Sequence, residues 1–178
     1  MSLYVTRLDK LKAEIGEENL HAFLSSFKCS AEPAAEQFLK RSAIRHDSES
    51  ISRTHLALGQ DATGADVING FFTLAIKCLS VEKESVSKKT FKLMNVSDNI
   101  AQAYLLGQLA KADGVERGFG REMIKQAFHT FAKGKEMFGC RVVRLDCRDS
   151  LIDYYDSCGF TFIRKNLDKE LNQMVAII

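Results

Sequence analysis

Two glycines are the residues of this sequence whose spacing first suggests chemistry. Gly118 and Gly120 lie in "GVERGFGREM", where an apolar, strand-like run gives way to an amphipathic helix. Backbone N–H groups at the start of a helix have no partner within the helix, and the helix dipole adds a partial positive charge there. Because glycines let another molecule approach the backbone closely, the loop suits a phosphate or pyrophosphate. A tight turn or close helix packing would use the same two glycines.

Two common phosphate-binding loops do not fit this stretch. A Walker A loop needs glycine and lysine followed by serine or threonine, and "GFGREM" contains no such run. A Rossmann loop needs G-x-G-x-x-G near the first strand, but Met123 stands where its third glycine belongs. The sequence therefore does not indicate either of these nucleotide sites.

The composition is that of an ordinary globular protein. With 178 residues, 46% of them hydrophobic and 27% charged, the chain is expected to form one domain over residues 1–178. A net charge of +2 does not by itself indicate nucleic acid or a membrane. Five cysteines without a C-x-x-C pair predict reduced thiols rather than disulfides or zinc. With no apolar leader and no long apolar span, we expect a cytoplasmic protein.

Hydrophobic periodicity predicts a helical first part and a mixed second part. Residues 1–50 are predicted to be helical, with Ser30 capping the second helix and Pro33 in its first turn. Residues 53–60 and 67–81 predict an antiparallel strand pair. The remaining predictions are a charged, solvated loop (81–89), strands (100–112, 141–147, 159–165 and 172–178), a long helix (118–138) and a short helix (150–158). This order indicates an α/β or α+β sheet.

Taken together, residues 100–165 resemble the GNAT superfamily, the GCN5-related N-acetyltransferases. In that family a strand leads into a Gln/Arg-x-x-Gly-x-Gly/Ala loop and a long helix, followed by a strand, a short helix with an aromatic–Tyr pair, and Gly-Phe. The segments "YLLGQLAKA", "VERGFG", "RVVRLDC" and "LIDYYDSCGF" follow this order and spacing. The resemblance implies a mixed, mostly antiparallel sheet with a V-shaped gap between two strands and helices on its faces. Residues 1–50 would form its helical N-terminal part and 100–165 its acetyl-CoA-binding core.

The first half is more loosely similar to the branch that contains acetyltransferase toxins acting on charged transfer RNA. The segments "FKCS", "SRTHLAL" and "GFFTLAI" match that branch in order. This sequence departs from it by having Ser30 for glycine, His55 for tyrosine, Phe71 and Phe72 for two tyrosines, and Gln108 for arginine. The architecture therefore carries over better than the substrate.

The resemblance implies acetyl-CoA as co-substrate, with no metal. Its pantetheine would pair with the backbone of Leu109, Ala110 and Lys111 as an added strand. Its pyrophosphate would lie on the loop residues Val115, Glu116, Arg117, Gly118, Phe119, Gly120 and Arg121. Tyr155, five residues before Phe160, falls at the tyrosine that would protonate the departing thiolate. Since a tyrosine pKa is ordinarily about 10, its hydroxyl carries a proton at neutral pH.

Two residues of this loop depart from the family pattern. Val115 stands where the family has glutamine or arginine, and Glu116 adds a negative charge beside a pyrophosphate site. Arg117 and Arg121 can offset that charge, because guanidinium groups pair well with phosphate oxygens. The backbone donors do not depend on these side chains.

The other residues that could carry chemistry are expected to be structural. Tyr154 is expected to face the core, and His55 and His129 to be structural or exposed. Cys147 and Cys158 are expected to behave as small hydrophobic residues. The basic cluster consists of Arg141, Arg144 and Arg148 and is expected to be a solvated face, from which Arg148 could reach the phosphate end of the cofactor. No general base for the amine is identifiable.

Three functions remain open at this point. The first is an N-acetyltransferase that moves the acetyl group of acetyl-CoA directly to an amine of a small molecule or protein. The second is a toxin-like aminoacyl-tRNA acetyltransferase with tRNA and an antitoxin as partners, which a net charge of +2 does not favour. The third is a degenerate acyl-CoA-binding module without catalysis, suggested by Val115 and Glu116. The acceptor pocket is expected between the N-terminal helices and the 80–100 loop, and a homodimer is left open.

Overall fold

The computed structural model describes residues 3–166 and 170–178. Contacts divide the chain into two compact units. The first comprises the chain up to Ala75 together with Gln108–Lys125, and the second comprises Ile76–Gly107 and Gln126–Ile178. The seven strands of the main sheet follow the order β1-β2-β3-β6-β7-β9-β8, and β4 and β5 form a separate pair.

The elements begin with a short strand, four helices and two longer strands. These are β1 (Tyr4–Arg7), α1 (Leu8–Ile15), α2 (Glu17–Ser25), α3 (Pro33–Arg41), α4 (Ala43–Ser48), β2 (Arg53–Gln60) and β3 (Asp66–Ile76). The later elements are β4 (Leu79–Ser80), α5 (Lys88–Met94), β5 (Ile100–Ala101), β6 (Tyr104–Lys111), α6 (Phe119–Phe138), β7 (Val142–Cys147), α7 (Ile152–Asp156), β8 (Thr161–Lys165) and β9 (Asn172–Ile177).

The core of the first unit lies between its helices and one face of β2 and β3. Leu20, Leu24 and Leu39 of the helices are buried against Leu56 and Phe71 of these strands, among other residues. This burial follows the apolar spacing of the helices, which places one stripe of each toward the sheet. β2 and β3 pair antiparallel, as predicted.

The prediction that residues 1–50 are helical is wrong at the start of the chain. Tyr4–Arg7 forms strand β1, which pairs antiparallel with β2 from Tyr4 opposite Leu58 to Arg7 opposite His55. An aromatic residue followed by two β-branched residues suits a strand better than a helix. The four helices of this region follow only after that strand.

Ser30 also differs from its prediction. The residue before α3 is Glu32, and Pro33 occupies the first turn as expected. The backbone N–H and the hydroxyl of Ser30 both donate to the carboxylate of Asp113, at 2.9 and 2.7 Å. This partner lies far away in sequence, so a local capping rule could not find it.

In the second unit, β9 pairs antiparallel with both β7 and β8. β6 and β7 run parallel, and among the described residues their pairing covers only Tyr104 with Val143 and Leu105 with Arg144. Beyond Leu105 the two strands are not paired, which is the V-shaped separation that the fold class predicts. The confirmed class is a mixed α/β fold with a seven-stranded, mostly antiparallel sheet flanked by helices.

The predicted solvated loop at 81–89 is partly ordered. Val81 is buried, Lys83–Ser85 forms a 3-10 turn, and Ser87 caps α5 by accepting the N–H of Thr90 at 3.1 Å. Val86, inside the charged run, packs half-buried against the same apolar cluster that contains Val81. The charges of the run therefore concealed two valines that attach it to the core.

Two further expectations can be compared with the structure. All five cysteines are free thiols. No helix in the described part of the chain is long and apolar enough to cross a membrane. The single-domain organisation over residues 1–178 remains a prediction.

Candidate functional site

The glycine loop leads into α6 with its backbone donors free. Gly118 has a φ of +91°, and its carbonyl accepts the N–H groups of Arg121 and Glu122 at 2.9 and 3.3 Å. Among the described residues, no acceptor lies within hydrogen-bond distance of the N–H groups of residues 116–120. Glu116, Arg117 and Gly118 are exposed. Unpaired donors at a helix start fit a pyrophosphate, and here several follow one another.

The start of this loop is held firmly within the first unit. The N–H of Ala112 donates to the carbonyl of Asn69 at 2.8 Å, and the N–H of Asp113 donates to that of Lys28 at 2.9 Å. Hydrogen bonds from Ser30 lower the pKa of the Asp113 carboxyl. The loop conformation before Gly118 is therefore set by long-range contacts.

The side chains of the loop play smaller parts than its backbone. The ammonium of Lys111 donates to the carbonyl of Val115, and the Val115 side chain is half-buried. Phe119 and Gly120 form the first turn of α6 and are half-buried, whereas Arg121 is exposed. The replacement of glutamine or arginine by Val115 therefore leaves the backbone donors in place.

The predicted pantetheine segment lies in the last part of β6. Ala110 is buried, and Leu109 and Lys111 are half-buried. Just before them, the N–H of Gln108 donates to the hydroxyl oxygen of Thr73 at 2.8 Å. This part of β6 is thus attached to β3 through a side chain as well as through the sheet.

Tyr155 lies in the second unit, on α7, and is only 8% exposed. Its ring packs edge-on against Phe160, with centroids 5.9 Å apart, and Phe160 stacks on Phe128 at 5.4 Å. Tyr154, which the sequence predicts to face the core, is half-buried, and its ring lies edge-on to that of Tyr155 with centroids 5.1 Å apart. The turn after α7 places Phe160 close to Tyr155, since the N–H of Phe160 donates to the carbonyl of Tyr155 at 3.1 Å.

The three arginines do not form one solvated face. Arg141 and Arg148 are exposed, but Arg144 is 4% exposed. Its guanidinium donates to the carbonyl of Cys78 at 3.0 Å and to both carboxylate oxygens of Asp146, at 2.8 and 2.9 Å. Sequence reasoning missed this pair, although the i, i+2 spacing of Arg144 and Asp146 on a strand places both on one face.

The remaining residues with reactive groups are mostly buried or dispersed. Cys147 is buried, and burial raises the pKa of its thiol, so it is a small hydrophobic residue as expected. Cys158 is half-buried and His129 is exposed. In the described residues, no three His, Cys, Asp or Glu side chains are arranged to hold a metal ion.

His55 is a buried structural residue with a consequence for pH dependence. Its ring stacks on Phe72 at 4.9 Å, and burial lowers its pKa. Below the ordinary histidine pKa of about 6.5 the unfolded chain therefore binds more protons than the folded protein, so stability falls as the pH drops from 7 to 5. We expect His55→Phe to remove most of this loss, which approaches about 1.4 kcal/mol per pH unit.

Urea unfolding at pH 7 and pH 5 measures this effect. His129→Phe is the matched control, since His129 is exposed on α6 and its replacement should leave the wild-type pH dependence unchanged. An equally steep pH dependence in His55→Phe would mean that other groups cause the loss.

No family model and no curated protein matches this chain, but solved structures do. A tyrosine-to-phenylalanine mutant of KacT has a TM-score of 0.74 and 17% identity, over 99% of this chain and 95% of that one. AtaT in complex with acetyl-methionyl-tRNAfMet has a TM-score of 0.73 and 18% identity, over 96% and 94%. AtaT as a tyrosine-to-phenylalanine mutant, bound to the C-terminus of the antitoxin AtaR and to acetyl-CoA, has a TM-score of 0.68 and 16% identity, over 99% and 94%. The chain therefore has the fold of AtaT and KacT.

Proposed function

We propose that this protein is an acetyl-CoA-dependent N-acetyltransferase and that its acceptor is the α-amine of an aminoacyl-tRNA. The observation that carries the proposal is the run of unpaired N–H groups at residues 116–120, at the start of α6 in a GNAT fold. A bound structure of AtaT with acetyl-CoA supports the same co-substrate here.

In this proposal the backbone holds the co-substrate. Leu109, Ala110 and Lys111 of β6 pair with its pantetheine. The residues that hold its pyrophosphate are Val115, Glu116, Arg117, Gly118, Phe119, Gly120 and Arg121. The exposed guanidinium groups of Arg117 and Arg121 add positive charge to the backbone donors, which offsets Glu116.

Tyr155 is proposed as the proton donor of the reaction. The amine nitrogen attacks the thioester carbonyl, a C–N bond forms, and the C–S bond breaks. Tyr155 gives a proton to the departing sulfur and regains one from the nitrogen or solvent. Structures of KacT and AtaT have been solved as tyrosine-to-phenylalanine mutants, which supports the choice of a tyrosine for this role.

A basic surface in the second unit favours RNA as the carrier of the amine. This unit exposes six basic side chains on α5, on the segments beside it and just before β7, which we call the α5 basic surface: Lys77, Lys83, Lys88, Lys89, Lys92 and Arg141. All are exposed, and none has a carboxylate within 4.0 Å among the described residues. The exposed Glu82 and Glu84 lie in the same segment and offset part of this charge. The remaining positive charge attracts the phosphate backbone, even though the net charge of the chain is only +2.

The same surface offers an aromatic ring. Lys92 and Arg141 line a cavity of about 530 Å³ together with Ile76 and Phe138. Phe138 is 78% exposed. Exposed rings beside basic side chains are typical of surfaces on which unpaired bases stack. The structure of AtaT with acetyl-methionyl-tRNAfMet supports the same class of acceptor here.

The test is acetyl transfer from radiolabelled acetyl-CoA to a total pool of aminoacylated tRNA. We expect label in the RNA fraction, attached through the amino acid and released with it when mild base cleaves the ester. Deacylated tRNA is the matched control and should remain unlabelled. Label on deacylated tRNA would contradict the α-amine as acceptor.

Two other outcomes would favour the remaining functions. Transfer to lysine peptides or small amines, without transfer to tRNA, would support the broader N-acetyltransferase. Binding of acetyl-CoA without transfer to any acceptor would support a non-catalytic acyl-CoA-binding module.

The tRNA proposal also implies that the protein acts in the cytoplasm and has an antitoxin as partner, as AtaR is for AtaT. A homodimer remains a further possibility for its assembly.

A further inference from the structure

We propose that Asp146 holds the attacking amine of the acceptor and that Arg144 positions the Asp146 carboxylate for this role. The inference rests on the acetyltransferase function proposed above. It supplies a group that the sequence did not identify, namely the one that receives the amine.

Asp146 lies on β7 just beyond the point where the pairing of this strand with β6 ends. β6 and β7 run parallel, and their pairing ends at Leu105 and Arg144. Asp146 lies two residues further along β7, in the part that is no longer paired with β6. Ligands of α/β sheets bind in the crevice where neighbouring strands separate toward their carboxyl ends. Asp146 therefore lies where β7 begins to offer its edge to a ligand.

The Asp146 carboxylate is held in place by the side chain of Arg144. The Arg144 side chain is 5% exposed, whereas that of Asp146 is 26% exposed. One guanidinium nitrogen of Arg144 donates to both oxygens of Asp146, and another donates to the carbonyl of Cys78. A buried arginine thus fixes a carboxylate that a ligand can still reach. The Nε of Arg144 is buried without a partner among the described residues, which is a cost that packing alone does not explain.

Apart from Arg144, Asp146 has no side-chain partner among the described residues. Gln173 of β9 lies opposite Asp146 in the sheet register, and the oxygen of its amide already accepts the Nε of Arg164 at 3.0 Å. Arg164 in turn lies 3.9 Å from Glu82. Cys147, the next residue on β7, is buried with a raised pKa and is a thiol at neutral pH.

The chemistry requires such a group because an amine arrives largely as an ammonium ion. An α-amine has a pKa of about 7.7–8.0, so a fraction is neutral at physiological pH without a strong base. Asp146 accepts a hydrogen bond from the amine nitrogen. This hydrogen bond orients the amine so that the lone pair of the nitrogen points toward the thioester carbonyl. Two protons leave the nitrogen in total: one is released to solvent, and the other replaces the proton that the sulfur receives through Tyr155.

The test compares Asp146→Asn with the wild type. Asparagine keeps the shape but removes the charge. We therefore expect kcat/KM for the aminoacyl-tRNA substrate to fall about 10- to 100-fold, the worth of a charge-assisted hydrogen bond. The pH midpoint of kcat should also move down, because the bound amine loses a neighbouring negative charge. Affinity for acetyl-CoA should be unchanged.

The role of Asp146 can also be tested by a binding measurement, which does not depend on turnover. With free coenzyme A present no transfer occurs, and binding of the same aminoacyl-tRNA at pH 6.5 should weaken about 10-fold in Asp146→Asn. Asp66→Asn is the matched control, since Asp66 is exposed at the start of β3 and has no ion pair among the described residues. Asp146→Glu keeps the charge and should recover the wild-type pH midpoint.

The outcomes separate this inference from the function on which it rests. A wild type that binds acetyl-CoA but acetylates no amine would overturn the proposed function. A wild type that acetylates tRNA, with Asp146→Asn equal to it in rate and pH midpoint, would overturn only the role of Asp146. Equal impairment of the Asn and Glu variants would show that the charge is not what matters and would overturn it as well.

Discussion

Replacing Tyr155 by phenylalanine should lower kcat by about 10²- to 10⁴-fold, the usual worth of a positioned general acid. The thiolate of coenzyme A would then leave without a proton donor. The ring itself should stay in place, because phenylalanine preserves the edge-on contact with Phe160. We therefore expect a folded protein whose affinity for acetyl-CoA changes little.

Steady-state acetylation of aminoacyl-tRNA and calorimetric titration of acetyl-CoA measure these two properties. Tyr154→Phe is the matched control, because it makes the same chemical change one residue earlier on α7. It should retain nearly full activity. If Tyr155→Phe kept the wild-type kcat, another group would have to protonate the sulfur.

Replacing Gly118 by valine should weaken acetyl-CoA binding at least about 10-fold, or about 1.4 kcal/mol. Gly118 has a φ of +91°, and a Cβ there would meet no atom within 4 Å. The cost of a side chain is therefore backbone strain, which is about 1–3 kcal/mol and is large for a β-branched residue. Relief of that strain would turn the N–H groups of residues 116–120 away from the pyrophosphate.

Gly114→Val separates loss of binding from loss of stability. Gly114 has a φ of +80° and equally open surroundings, but it lies before the proposed pyrophosphate segment. Both variants should unfold at lower urea concentration, and only Gly118→Val should lose affinity in calorimetry. Equal loss of affinity in the two variants, or none in either, would argue against the loop as the pyrophosphate site.

The fold could be predicted from the second half of the sequence, because apolar spacing and glycines mark where its helices and strands begin and end. The apolar spacing of α6 and the glycines before it predicted a helix over 118–138, and the structure has Phe119–Phe138. The strand predicted at 141–147 is found at Val142–Cys147. Such signals act over a few residues, so they are visible without the fold.

What the sequence did not reveal depends on contacts between distant residues. Ser30 donates a hydrogen bond to the carboxylate of Asp113 and does not cap α3. Arg144 is buried and donates to the carbonyl of Cys78. An arginine on a strand usually extends to solvent, and only the tertiary structure places it beneath another segment. Asp146 was overlooked for the same reason, since its importance comes from being held by Arg144.

The strand order in the second unit has a consequence for how the protein is made. β8 pairs with β9, and β9 separates it from β7, although β9 is synthesised last of the three. A nascent chain that has emerged only through β8 therefore leaves two strand edges unpaired, and such edges favour association with other chains. Completion of this half of the fold must wait for residues 172–177. The proposed enzyme, whose substrates would supply the ribosome, could therefore act only after residues 172–177 have left the ribosome and β9 has inserted between β7 and β8.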